Sequence, residues 1–567
     1  MIEFNRKSFV GGLNQQVDAT RLSEDEYPLL INGRNRYDVL QPVQLPQQII
    51  DSTIGNRRVQ GAYSVGSILI VFAGGLAFYK DQNYPNANYN QINGFAMSAD
   101  VAIIYAELVP ISTLNFVRIP QTAGQANTDI KLTTPIKASP AGLVVQDGVN
   151  QPYLIDSNMT SRPLNKYDAW ELDNREYVPI GTQMIYSGGI LYIVDGSLIL
   201  RSVTGRPLDF MVIIKEDGTK EPQEADGGAR NAAISVDYNQ VTCIARLPAD
   251  DNSFFVSTSK AAYAVTPLIQ PEDLIYGEPD FISRFLFTAG ATSPFAFVEL
   301  IGDNAFVDFN GLRSFNAIKM IKTEGINSPF SKKVGPILQG IFQDYTAAIV
   351  YDNYALFGVN TIFGRGIIIY DTLNEVFAGV DLYPGVGQIL KFEEVRTAVG
   401  RKLFFVTTDG KFYEAFASTE TATCKFYLGD HCTNNPDIEQ RPWKLKLVFV
   451  DCLKSGTVYA SSYTDRKFGT KLSAVIEQRL TAVTNQASYE NPLGLSDLDT
   501  VQVIDFDFTK NTLAGWKHGF LVEWDVQCKL THAKLESVED PNISSPTQQV
   551  IVSKRNREAL DALALTQ

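Results

Sequence analysis

One pattern recurs along this chain: a turn, three to five apolar residues, a second turn centred on glycine, then another apolar stretch. Gly66-Ser67 leads into Ile68-Leu69-Ile70-Val71-Phe72, turns at Gly74-Gly75 and returns as Leu76-Ala77-Phe78-Tyr79. Gly188-Gly189 leads into Ile190-Leu191-Tyr192-Ile193-Val194, turns at Asp195-Gly196 and returns as Leu198-Ile199-Leu200. A third copy runs from Gly302-Asp303 through Ala305-Phe306-Val307 and Asn310-Gly311 to Leu312 and Phe315. A fourth runs from Gly400 through Leu403-Phe404-Phe405-Val406 and Asp409-Gly410 to Phe412-Tyr413. Weaker copies lie at 142–155, 251–265 and 345–370, and in the second of these Ser259-Lys260 replaces the glycine turn. Asp-Gly and Asn-Gly between apolar runs are strong hairpin signals, because tight hairpin turns need positive φ.

The spacing of the hairpins is more informative than their existence. From Gly66 to Gly188 is 122 residues with one weaker copy between, from Gly188 to Asp251 is 63, from Asp251 to Gly302 is 51, and from Gly302 to Gly400 is 98, again with one between. A repeat of about 50–60 residues suits four short strands, which is one propeller blade. Seven units are legible and helical periodicity is almost absent. The expected fold is therefore all-β, a β-propeller of six to eight blades; a pair of sandwiches would produce a similar set of hairpins. Aromatic residues make up 11% of the chain, with 25 Tyr and 33 Phe, and such side chains favour pleated, half-buried surfaces.

The repeat also divides the chain. Residues 1–58 read as an extended N-terminal segment, and 59–420 as the propeller. Within it 82–137 is an insertion, polar at 83–93 and loop-like at 121–127, and 215–231 is a charged, glycine-rich excursion. From 421 the pattern changes. Strand-like stretches at 445–450, 501–508 and 520–530 predict a separate C-terminal β-domain over 421–545, sandwich-like in pattern. A tail follows at 546–567, where Leu560, Leu563 and Leu565 among good helix formers suit a short helix.

Charge and inventory narrow the function. The formal net charge is −14 and the pI about 4.9, whereas a protein gripping duplex DNA carries a basic face. A surface along which nucleic acid slides without sticking stays open. Five cysteines, odd in number and irregularly spaced, make no disulfide framework. Met1 to Gln16 has no apolar core of a secretory signal, and the longest apolar run, 68–79, falls short of the ~20 residues a membrane span needs. Folding in a reducing cytoplasm is expected.

Little in the chain points to catalysis. The three histidines, His431, His518 and His532, all lie near the C-terminus, so a Ser-His-Asp or Cys-His engine in the propeller is excluded by inventory. Cys424, His431, Cys432 and Cys452 are metal-ligand types, but their spacing matches no zinc knuckle. Asp195, Asp308 and Asp409 sit in or beside hairpin turns, where Asp bonds its own backbone. No Ser-x-Asp-x-Gly-x-Thr-Trp box of sialidase propellers occurs. Asp250-Asp251-Asn252-Ser253 lacks the glycine and distal glutamate of an EF-hand. Neither Gly364-Arg365-Gly366 nor Gly74-Gly75 is followed by the Lys and helix of a phosphate loop. The expectation is a non-enzyme with no catalytic residues, no metal and no cofactor.

The N-terminal segment carries a further pattern: Phe9-Val10-Gly11-Gly12-Leu13-Asn14, then Val17-Asp18-Ala19-Thr20-Arg21-Leu22, Glu26-Tyr27-Pro28, Ile31-Asn32-Gly33 and Leu40-Gln41-Pro42. Downstream stand Arg201 to Phe210, ending Asp-Phe, then Asn310-Gly311-Leu312-Arg313-Ser314-Phe315, and Tyr370-Asp371 followed by Phe377 where Trp is usual. Together these resemble the tail nozzle proteins of short-tailed bacteriophages, also called tail tubular protein B, in scattered fashion over residues 9–420. The resemblance implies a virion structural protein, assembled in the host cytoplasm into a homohexameric ring below the portal–adaptor complex. There it would form and gate the channel for genome ejection, touching viral DNA only transiently. It implies structural or assembly roles for Gly11, Gly12, Asn14, Asp18, Leu22 and Asn32. Carboxylates lining such a channel would repel phosphate and let DNA slide. The alternative is a glycan-binding or glycan-cleaving propeller acting as a host-receptor tail component. It is disfavoured by Trp170, Trp443, Trp516 and Trp524, which mostly lie outside the repeats. A third reading, a cellular interaction propeller, lacks the Trp-Asp or Gly-His mark in each blade.

Overall fold

The computed structural model describes residues 2–6, 8–18, 21–23, 25–36, 39–110, 141–164, 178–202, 207–208, 210, 212–214, 220–222, 236–247, 253–267, 281–300, 302–315, 330–338, 343–432, 440–452, 454–466, 469–480, 502–508 and 517–539. The fold is all-β. A 3-10 turn, Phe330–Val334, runs into a four-residue helix, Gly335–Leu338.

Seven antiparallel meanders of three or four strands follow one another at 59–91, 105–163, 184–201, 241–287, 297–314, 347–381 and 389–414. Each hairpin read from the sequence falls in a different meander. The turn chemistry is as the sequence requires. In the third meander Asp195 pairs with Leu198 across Gly196-Ser197, and Gly196 has a φ of 62°, the left-handed region.

The central strand of each meander reads as an unbroken apolar run because both of its faces are covered. Successive side chains on a strand point to opposite faces, and here the two faces meet different neighbours. In Ile68–Ala73, Val71 packs with Phe404 and Val406 of the seventh meander, while Ile70 and Phe72 pack with Leu143 and Val145 of the second. Val144 turns the other way, toward Leu191 and Ile193 of the third. Tyr192 meets Phe254 and Val256 of the fourth, and Phe255 meets Phe306 of the fifth. Phe306 shares a cluster with Phe357 of the sixth, and Leu356 shares one with Phe405 of the seventh.

Polar groups pin the same junctions. The Gln183 side chain, just before the third meander, donates to Thr242 O (3.0 Å) and accepts from Ile244 N (3.1 Å) of the fourth. The Phe295 carbonyl, entering the fifth, accepts from Ala348 N of the sixth at 2.7 Å. Tyr351 of the sixth donates to Arg401 O of the seventh at 2.9 Å. Glu393 of the seventh accepts from both the backbone N–H and the hydroxyl of Ser64 in the first, at 2.8 and 2.7 Å.

The ends of the chain are interleaved with the rest. Residues 1–58, expected as an extended lead-in, supply strands to several sheets. Gln47–Gln48 pairs with Phe412–Glu414 as the last strand of the seventh meander. Leu29–Ile31 lies parallel to Val376–Asp381 of the sixth meander and antiparallel to Cys424–Cys432, and so joins the sixth meander to the C-terminal strands in one nine-stranded sheet. Three consecutive buried apolar residues, Leu29, Leu30 and Ile31, need cover on both faces, which a lead-in segment alone could not give them. Gly33–Arg36, Val39–Pro42 and Ile2–Arg6 enter a second, six-stranded sheet with Gln440–Val450, Gln502–Asp507 and Lys529–Glu539. Leu445, Leu447 and Phe449 of that sheet share a buried cluster with Val458, Phe520 and Trp524 of the nine-stranded one.

Within 82–137, the segment expected as an insertion, Asn90–Gln91 is the fourth strand of the first meander and Tyr105–Pro110 the first strand of the second. Residues 111–137, most of 215–231 and the tail 546–567 lie outside the described residues.

Candidate functional site

The N-terminal motif residues gather at a buried knot between the opening segment, the sixth meander and the helical turn. Gly11 N–H donates to Asp25 O, at 3.2 Å. Gly12 has a φ of 75°, and a Cβ there would lie 2.7 Å from the Phe377 carbonyl oxygen. Only glycine satisfies both conditions. Asn14 donates to Glu26 at 3.0 Å, and Lys333 of the helical turn reaches the other Glu26 oxygen at 2.8 Å. Burial raises the Glu26 pKa, but the Lys333 and Asn14 hydrogen bonds outweigh it and hold the carboxyl below its ordinary value. Asn32, at a φ of 54°, bridges three segments: its amide donates to Thr423 O, its side-chain oxygen accepts from Leu382 N, and its backbone N–H donates to Val380 O. Asp18 stands apart from this cluster, exposed, its carbonyl accepting from Arg21 N, and Leu22 is half-buried.

Next to the knot lies an ion pair that sequence reading missed. Arg34 makes a two-pronged contact with Asp381 at 2.7 and 2.6 Å, with both side chains buried. Tyr383 donates to Asp381 at 2.8 Å, and the guanidinium lies over the Tyr354 and Phe416 rings. Every group here is spent on joining the opening segment to the sixth meander.

A second cluster surrounds a cavity of about 340 Å³ where the first strands of five meanders converge with the entry to the fifth. Tyr63 and Ser64 come from the first meander, Tyr105 and Glu107 from the second, Met184 from the third, Ile244 from the fourth and Lys391 from the seventh; Pro294 and Phe295 precede the fifth. Lys391 bonds Glu393 at 2.9 Å and Ala62 O at 2.7 Å, and it covers the Tyr63 ring. Burial pushes the Lys391 pKa down, opposed by Glu393. Glu107 accepts from Tyr186 N at 3.0 Å and pairs with Arg246; burial nevertheless raises its pKa. The available signal was a charge inside an apolar strand, as at Lys391 between Leu390 and Phe392.

The other candidates lie apart from both clusters' chemistry. Asp308 pairs with Arg313 at 2.7 Å and Asp409 with Lys411 at 3.1 Å, and Asp195 is an exposed turn residue. Cys424, Cys452 and Cys528 are buried thiols, and among the described residues no group of three His, Cys, Asp or Glu side chains could hold a metal ion. No helix among those residues is long and apolar enough to cross a membrane.

No known protein family matches the chain, and no curated protein does. Among solved structures it is similar to PorZ, an essential bacterial surface component of the type-IX secretion system of Porphyromonas gingivalis, with a TM-score of 0.31 and 9% identity. The match covers 70% of this chain and 44% of that one, so the chain spans under half of PorZ's length. A likeness of this degree carries no argument about function.

Proposed function

We propose that this chain is a non-catalytic structural subunit of a short-tailed phage virion, a tail nozzle built around a seven-bladed β-propeller. The propeller reading is supported by the junctions: each meander packs between two neighbours, and the seventh bonds the first through Glu393 and Ser64. The Gln47–Gln48 strand, added from the N-terminal side to the last meander, is a second clasp between the ends.

The observation that carries the structural role is where the motif lies. Gly11, Gly12, Asn14 and Asn32, the residues behind the resemblance to nozzle proteins, spend their hydrogen bonds within the chain on the knot that ties its opening segment to the sixth meander. Such residues hold an architecture together. In this reading six copies repeat one heterologous interface until the ring closes. The ring binds the portal–adaptor complex, and the acidic chain lines a conduit along which DNA slides.

The test is size-exclusion chromatography with light scattering on the full chain, then negative-stain imaging with a portal–adaptor complex. Six-fold rings that dock on the complex are expected. A monomer that ignores the complex, or an assembled ring with a predominantly basic lumen, overturns the reading.

A further inference from the structure

The cavity at the convergence of the meanders has features that the nozzle reading does not use. Its charges cancel locally. Lys391 is bonded to Glu393 and Arg246 to Glu107, so two cations and two carboxylates pair off and the site offers a ligand no net charge. Two hydrogen-bonding groups remain unspent. The Tyr105 hydroxyl, on a largely buried ring, has no hydrogen-bond partner among the described residues, and Glu107 takes both of its bonds on one oxygen, leaving the other unbonded among them. Beside these groups the wall is apolar: the Tyr105 ring stacks with Phe295 at 6.0 Å, and Met184, Ile244 and Pro294 complete it.

We propose that this cavity binds an uncharged pyranose sugar. A pyranose is an amphipathic ring, with C–H faces that lie on aromatic and aliphatic side chains and hydroxyls at its rim. A sugar hydroxyl donates to the free Glu107 oxygen, a charge-assisted bond, while the Tyr105 phenol donates to a second sugar oxygen. An ion would have to displace one of the existing pairs. A purely apolar ring would cover the phenol and the carboxylate oxygen without bonding either, and so displace the solvent that otherwise satisfies them. The volume falls at the small end of ligand pockets, which are mostly apolar with a few placed polar groups. The inference stands independently of the nozzle reading, since it concerns the interior of one subunit.

The test is saturation-transfer NMR on the full chain with methyl α-D-glucopyranoside, methyl β-D-galactopyranoside and cyclohexanol as probes. Transfer to the ring C–H protons of at least one sugar is expected, with cyclohexanol weaker. Tyr105→Phe keeps the stacked ring and should weaken the sugar about tenfold, the loss of one hydrogen bond to a neutral group. Met184→Trp fills the cavity and should abolish the signal; if that variant does not fold, Tyr105→Phe alone decides. The proposal is overturned if neither sugar receives transfer, if cyclohexanol binds more tightly than both, or if the sugar signal survives unchanged in Tyr105→Phe.

Discussion

Arg34→Met tests whether the opening segment is held by chemistry or merely lies against the body. The substitution keeps the length of the side chain and removes its charge. Asp381 is fully buried and, among the described residues, would keep only the Tyr383 hydroxyl as a side-chain partner. Removing one member of a buried, hydrogen-bonded ion pair costs about 3–5 kcal/mol, because the remaining charge is stranded without solvent. An exposed pair would cost under about 1 kcal/mol. The side-chain exposures of 9% for Arg34 and 0% for Asp381 decide for the first value. Trp524 is a suitable reporter: it is buried, and it pairs across the ladder with Cys424, whose sulfur packs at Gly33 next to Arg34. Urea unfolding followed by fluorescence should show the midpoint of this unit falling by the equivalent of about 3–5 kcal/mol. Arg34→Met combined with Asp381→Leu strands no charge, only the Tyr383 hydroxyl at about 1–3 kcal/mol, so the double variant should be more stable than the single one. A single variant within about 1 kcal/mol of wild type, or a double variant worse than the single, would refute the reasoning.

Other outcomes follow from the same geometry. Gly12→Ala combines a left-handed φ with a Cβ 2.7 Å from the Phe377 oxygen, so a loss of at least about 1–3 kcal/mol is expected in the same unfolding assay. Gln183→Leu strands Thr242 O and Ile244 N at one meander junction; about 1–3 kcal/mol should be lost for each, with faster amide exchange confined to 241–246. The Glu26 carboxyl is held below its ordinary value of 4.5, so its contribution is complete above that pH and fades as pH falls through the lowered value. Lys333→Met should therefore flatten that part of an acid titration of stability. Glu107 runs the opposite way. Its raised pKa makes the fold bind the extra proton, so stability should fall as pH rises from 4.5 through the raised value, and Glu107→Gln should remove that fall.

The sequence and the structure agree where local rules suffice. Hairpins are written in turn residues and apolar runs a few positions apart, and Asp195-Gly196 or Gly74-Gly75 specify their turns without help from the rest of the chain. Boundaries were less legible. Leu29-Leu30-Ile31 is too short a run to announce a strand, and it becomes one because the edge of the sixth meander and Cys424–Cys432 both offer it a ladder. Its partners lie hundreds of residues away, beyond the reach of any periodicity. The same distance hid Arg34–Asp381: each residue alone reads as a surface charge, and only the fold makes the two a buried pair.

The cavity follows the same logic one step further. A strand that begins a meander has one face toward each neighbour, and its period of two hides nothing on an apolar strand. Lys391 breaks that period between Leu390 and Phe392, and a buried cation in such a place needs partners from elsewhere. It finds Glu393 on its own strand and the Ala62 carbonyl on the first meander. Glu107 breaks the second meander's first strand likewise and finds Arg246 on the fourth. One member of each pair, Lys391 and Glu107, lines the convergence. Residues that fasten the first meander to the seventh, and the second to the fourth, therefore also wall the space between them. A change at Lys391 should consequently act on the junction before it acts on the cavity. Lys391→Met leaves Glu393 its Ser64 bonds but strips Ala62 O, so thermal stability should fall while the Tyr105 and Glu107 groups keep their geometry. If Lys391→Met leaves the unfolding midpoint unchanged, the junction does not depend on this cation, and its burial there has no structural account.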